Sequence, residues 1–170
     1  GVRCIFFDLL FDEARDPEVD RRLAQAVERS GVCVLAGAFK LGASLEMPKI
    51  IPPLEDVVRR KKALLGIINT NEDSVKRLLT IATEVEGQSP LFLSAALACY
   101  AQTQHIFPQQ VRVQKHRLLV SPLMIPIIAS EQKVNESADT VSERTMTFYK
   151  TLILFHPPAT GMQGAQPHAF

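Results

Sequence analysis

Two short, almost continuously apolar runs flank one capped amphipathic segment, and this succession limits more than any other feature how the chain can fold. Residues 2–9, VRCIFFDL, read as a buried strand and 32–39, VCVLAGAF, as a second continuous apolar strand; both are rich in β-formers and too short to be helices. Between them, Asp16 is placed to cap a helix and Pro17 suits its first position. Val19, Leu23, Ala26 and Val27 recur at helical spacing, which predicts one inward stripe with Arg21, Arg22, Gln25, Glu28 and Arg29 facing out. Gly31 stands where a left-handed residue would end that helix. Strand, helix and strand with short joins make a βαβ unit, which implies parallel strands and a right-handed crossover. Near-continuous apolar strands fit a sheet covered on both faces. The expected fold class is therefore α/β: a mixed, mostly parallel sheet with helices on both faces, in a single domain.

Further along, a loop with Pro48, Pro52 and Pro53 leads to a predicted helix over 54–61, with Leu54, Val57 and Val58 inward. ALLGIINT (63–70) reads as a third strand and NEDS (71–74) is dense in turn formers. VKRLLTIATEV (75–85) then reads as the return arm of a hairpin. Ser89-Pro90 opens a predicted helix to about residue 103, with Leu93, Leu97 and Tyr100 on one face. VRVQKHRLLVS alternates like a strand, NESADTVSER (135–144) reads as a polar loop, and TMTFYKTLILF (145–155) as a strand. Residues 1–156 form the expected domain, C-terminally incomplete. The Pro, Gly, Ala and Gln content of 157–170 gives a flexible tail.

A chain of 170 residues suits one domain, and 46% hydrophobic with 22% charged residues is a globular composition. The net charge of +1 offers no broad basic field, so nucleic acid is not an expected partner. Cys4, Cys33 and Cys99 cannot all pair within the chain and read as buried small hydrophobes; a Cys4–Cys33 bridge requires Cα atoms within disulfide reach. LLVSPLMIPIIA is the most apolar segment, but it is too short to span a bilayer and carries two prolines.

Chemistry-bearing spacing is sparse. A strand ending FFD is similar to the nucleophile strand of haloacid-dehalogenase-like phosphatases, but those need a second aspartate two residues on, where this chain has Leu10. His105, His116, His156 and His168 are scattered, and the glycines at 31, 37 and 42 do not form a phosphate loop. The basic run RRKK (59–62) reads as a solvated helix end, and Asp12, Glu13 and Asp16 as a turn plus a cap rather than a cation site. No cofactor or metal is expected. An α/β core without a catalytic constellation reads as a binding or regulatory module.

The order of segments resembles the CHASE sensor domain of the second type, the extracellular module associated with cyclases and histidine kinases. The resemblance rests on Asp8, Phe11, Asp20, Leu23, Ala24, Ala26, Gly66, Asn69, Asp73, Arg77, Pro90, Leu91, Ala95 and Ala96. It covers about residues 2–104, and LILFHPPAT (152–160) more loosely. Ser74 stands where the family usually has glycine, as does His156, and the family's final GKIVLIG-like strand is not in this chain. The resemblance implies an extracytoplasmic, periplasmic or extracellular, input domain of a bacterial transmembrane receptor. Its membrane segments and its cyclase or kinase output would lie outside this chain, and the receptor would be a homodimer.

On this reading the domain binds a small ligand or responds to an environmental signal without catalysis of its own. In an open α/β sheet the expected pocket lies beyond the carboxyl ends of the strands, which makes Asp8, Asn69 and Arg77 the candidate ligand-binding residues. Each has a structural alternative: a turn cap for Asp8, an Asx-type bond for Asn69, and a pair with Asp73 for Arg77. The competing reading is a small α/β hydrolase or phosphatase-like enzyme using Asp8. A third is a dimerisation module using helix 17–30 or the apolar segment 118–129.

Overall fold

The structure, a computed structural model, describes residues 1–41, 44–68, 78–137 and 140–152. In chain order the elements are β1 (Ile5–Leu10), α1 (Pro17–Ser30), β2 (Cys33–Gly37), β3 (Lys40–Leu41), β4 (Leu45–Glu46), α2 (Pro52–Arg59), β5 (Ala63–Ile67), β6 (Leu78–Val85), β7 (Phe92–Leu93) and α3 (Ala95–Thr103). They continue with β8 (Arg112–Gln114), β9 (Arg117–Val120), β10 (Leu123–Pro126), β11 (Ile128–Ser137) and β12 (Thr140–Leu152).

The expected α/β class is borne out in the first half of the chain. Strands β1, β2 and β5 form a parallel sheet in that order, with Ile5 opposite Cys33 and Cys33 opposite Ala63. The caps of α1 stand where the sequence places them. The Asp16 carboxylate accepts the N–H groups of Glu18 and Val19 at 2.8 and 3.2 Å, and Gly31 closes the helix at φ 65°. The predicted stripe is displaced by one position. Asp20, Ala24 and Val27 are buried, while Val19 is 60% exposed and Ala26 also faces out. The small Ala24 lets α1 lie close, and Asp20 tolerates burial because its carboxylate accepts the Arg15 N–H at 3.1 Å.

Alternation along the parallel strands divides the core. Cys33, Leu35 and Ala63 pack with Ala24 and Val27 of α1 and Leu54 and Val57 of α2. Val34 and Leu64 pack with Leu97, Ala98 and Ala101 of α3 and with Ile81, Leu118, Val120 and Tyr149 from the second half. A third cluster joins Phe39, Leu45 and Ile67 to Val85, Met146 and Phe148.

The second half is antiparallel, and here four expectations fail. β6 is a strand, but it pairs with β12 and β7 rather than returning along β5. A turn-rich sequence is a local signal, whereas the partner of β6 is chosen by buried area: Ile81, Ala82 and Val85 enter cores that Met146, Phe148 and Tyr149 complete. The NEDS turn lies outside the described residues. α3 starts after Ser94, not Ser89, because Phe92 and Leu93 are drawn into pairs with Thr83 and Ala82; the Ser94 hydroxyl then caps Leu97 at 3.3 Å. The polar stretch 135–144 is strand rather than loop on both sides of residues 138–139, with Asn135 opposite Glu143 and Val134 opposite Arg144. A long ribbon exposed to water accepts polar residues, and Lys133 and Glu143 form an ion pair across it at 3.3 Å. β8, β9 and β10 form a small meander where one strand was expected.

The two halves meet at β5. An isolated parallel bridge joins Ile67 to Ser94, and Gly66 faces the start of α3. A Cβ on Gly66 would stand 2.7 Å from the Ala95 Cα, so only glycine allows this approach.

Candidate ligand-binding cavity

β5 is an outer strand of the parallel sheet, so one of its edges is free to face the segment ahead of α3. Within that seam lies a cavity of about 310 Å³. Leu64 and Leu65 of β5 form one wall and Pro90, Leu91 and Phe92 the other. Val58 and Arg59 at the end of α2, Lys61 just beyond it, and the turn Phe107–Gln109 complete the lining. Its walls are largely hydrocarbon, and its charged groups come from α2 and the residues that follow it.

Local chain geometry explains how those charges are placed. α2 ends without glycine, and Lys61 takes the left-handed conformation itself at φ 59°. Its N–H and that of Lys62 close the helix on the carbonyls of Val58 and Val57 at 2.9 and 3.0 Å. This turn carries the Lys61 ammonium to 5.3 Å from the centre of the Phe107 ring. The Phe107 turn is held by the Gln110 side chain, whose Oε1 accepts the Phe107 N–H at 2.7 Å. Arg59 is occupied by Asp56, and Arg60 by Glu28 of α1 at 2.7 Å. Among the described residues no carboxylate pairs with Lys61, so its charge remains available to the cavity mouth. The RRKK run is exposed at the end of α2, as the sequence reading expects, and three of its members have partners there.

The residues singled out from the sequence lie elsewhere. Asp8 is exposed in β1, where the register slips between Phe7 and Leu10, and among the described residues it has no hydrogen-bond or ion-pair partner. Asn69 and Arg77 lie outside the described residues. Near the carboxyl end of β1, Leu10, Asp12, Ala38 and Lys40 border a space of only about 10 Å³, room for about one water. Asp12 there pairs with Lys40 at 3.4 Å and Asp16 serves as the α1 cap, so the acidic run is used by the fold. Among the described residues no group of three His, Cys, Asp or Glu side chains could hold a metal ion, and no helix is long and apolar enough to cross a membrane.

Of the segment 118–129, Leu118, Val120 and Ile127 are core, whereas Leu123, Met124 and Ile128 are exposed. Elsewhere, the Tyr149 hydroxyl donates to Glu84, and burial followed by that bond raises its pKa. The Glu86 carboxylate accepts the Thr145 N–H at 3.0 Å, which lowers its pKa.

No family model, curated protein or solved structure matches this chain. The sequence missed the cavity because its walls come from residues 58–65, 90–92 and 107–109, and no local pattern links them. The nearest available signal was a basic run set directly against an apolar strand.

Proposed function

We propose that this chain is an extracytoplasmic sensory input domain of the CHASE type, carried by a dimeric bacterial transmembrane receptor. In this reading it binds its signal in the cavity beside β5 and performs no chemistry of its own, and the membrane segments and cyclase or kinase output belong to other parts of the receptor. The observation that carries the reading is the cavity, whose volume of about 310 Å³ is in the range used for small ligands. Apolar walls with one unpaired ammonium at the mouth favour an apolar body with an anionic end. Four residues of the family resemblance support the placement: Pro90 and Leu91 line the cavity, and Gly66 and Ala95 meet beside it. A ligand here touches α2, β5 and the segment ahead of α3 together. It shifts their arrangement to the extent that it binds one arrangement more tightly than another.

The test uses octanoate, octanol and octylamine, titrated calorimetrically against the chain and its Lys61→Gln variant. Octanoate is expected to bind most tightly, with most of its advantage over octanol lost in Lys61→Gln. Binding of none of the three, or tighter binding of octylamine than of octanoate, overturns the assignment.

A further inference from the structure

Charge is spread unevenly along the chain. Between Glu86 and Glu131 there is no Asp or Glu, and the only Lys or Arg residues, Arg112, Lys115 and Arg117, all sit on one hairpin. That hairpin is β8 and β9 of the small meander, whose register sorts its side chains onto two faces. Leu118 and Val120 are fully buried and mark the inner face. On the outer face, Arg112, Leu119 and Met124 stand in one row across the three strands, and Gln114, Arg117 and Pro126 in the next. All but the half-buried Leu119 are exposed, Met124 at 60%. Lys115 and His116 form the exposed hairpin tip, with Lys115 left-handed at φ 54°. The His116 carbonyl accepts the Ile127 N–H at 2.9 Å, which fixes the tip to the chain beyond β10.

Arg21, Arg22, Arg59 and Arg60 are each held by a carboxylate of the chain. Among the described residues no carboxylate pairs with Arg112, Lys115 or Arg117. Arg112 and Arg117 are diagonal neighbours on one face, so their like charges repel, and an anion from outside the chain relieves that repulsion. We propose that the outer face of this meander docks on an anionic lipid surface. Arg112, Lys115 and Arg117 lie over the headgroup phosphates, while Met124, Leu119 and Pro126 supply the hydrocarbon that enters between them. The long arginine stems add to that apolar contact while their guanidinium groups stay at headgroup level. A nucleic acid is the other large polyanion, but this face carries no Phe, Tyr or Trp on which a base could stack. Three cations near an anionic surface give roughly a hundredfold preference over a neutral one.

The chain is sedimented with vesicles of phosphatidylcholine alone and of phosphatidylcholine and phosphatidylglycerol in equal parts. It is expected to bind the anionic vesicles roughly a hundredfold more tightly, and to lose that preference as salt rises from about 0.1 M to about 1 M. The double variant Arg112→Gln/Arg117→Gln is expected to bind the anionic vesicles roughly thirtyfold more weakly. Met124→Ser is expected to lose a smaller factor and to keep the salt dependence. These positions are exposed, and an unchanged circular dichroism spectrum identifies the variants as folded. Binding of neither vesicle, equal binding of both, or undiminished binding by the double variant overturns the proposal. So does tighter binding of a single-stranded oligonucleotide than of the anionic vesicles, or a dimer seen by light scattering that Met124→Ser abolishes. Lys61→Gln is expected to bind the anionic vesicles as the unaltered chain does, so failure here and failure of the cavity are separable.

Discussion

Replacing Gly66 by alanine tests the seam on which both halves of the molecule depend. The added Cβ would stand 2.7 Å from the Ala95 Cα, 3.1 Å from Val34 Cγ1 and 3.3 Å from the Ala95 Cβ. Carbon atoms are comfortable at about 3.5 Å or more, so the start of α3 must retreat by about 0.8 Å. It is poorly free to do so. Ser94 N–H is bonded to the Ile81 carbonyl at 2.9 Å, its backbone bridges to Ile67, and its hydroxyl caps Leu97. Overpacking costs about 1–3 kcal/mol, and contact with backbone rather than a movable side chain puts this site at about 3. The smaller entropy of an unfolded chain with alanine returns about 0.4–1 kcal/mol, leaving a net loss of about 2. Urea denaturation followed by circular dichroism should show the midpoint falling by about 1 M at unchanged slope. Gly37→Ala is the control. Its Cβ would meet Leu65 Cδ1 at 2.8 Å, Leu65 Cγ at 3.1 Å and Pro48 Cβ at 3.2 Å, all side-chain atoms and none of them backbone, so its loss should be smaller than that of Gly66→Ala. A loss under about 0.5 kcal/mol for Gly66→Ala, or one smaller than that of Gly37→Ala, refutes the close approach of β5 and α3.

Other perturbations probe separate parts of the fold. Gln102→Ala leaves the Gly31 carbonyl without its buried partner and should cost about 1–3 kcal/mol in the same denaturation assay, whereas a loss within experimental error would mean water replaces the bond. Stability should fall on the alkaline side, because Cys99 and Tyr149 both hold their protons more tightly in the folded chain than at their ordinary values of 9.0 and 10.0. Their contribution is complete below about pH 9 and is lost as pH rises toward 11, since the unfolded chain releases these protons first. Thermal melts in Tyr149→Phe should decline less steeply over that range, and an identical decline would exclude Tyr149 as a source. Asp8→Asn should change stability by less than about 0.5 kcal/mol and leave octanoate binding intact, given its exposed, unpartnered side chain. p-Nitrophenyl phosphate turnover by the chain that vanishes in Asp8→Asn would instead support the phosphatase-like reading.

The candidate site was less legible than the fold. Asp8 drew notice because an acid at the end of an apolar run is conspicuous in one dimension, yet it lies in a bulge of an outer strand, facing solvent. Lys61 was visible only as one of four basic residues, and its distinct role comes from a left-handed backbone and from Phe107, 46 positions away. The cysteines followed the same course: proximity to apolar runs made Cys4 and Cys33 look alike, while strand alternation sends them into different clusters.

Local chemistry was enough to determine α1 with both of its caps, the strands β1 and β2, and their parallel pairing through one crossover, but the burial expected of β1 fails: it is an outer strand with Phe6, Leu9 and Leu10 exposed. Those features depend on side chains within a few residues of one another: Asp16 on the N–H groups of Glu18 and Val19, and Gly31 on a conformation its neighbours could not adopt. Tertiary structure alone decided that β6 leaves β5 for β12, that α3 begins after Ser94, that the polar residues 135–137 and 140–144 are strand, and that a cavity opens beside β5. The pairing of β6, the start of α3 and the cavity are competitions between partners distant in the chain, settled by how much apolar surface the winner buries, whereas the polar ribbon follows from β12 being held in place by β6. A one-dimensional pattern shows which surfaces must be covered, but not which distant segment covers them.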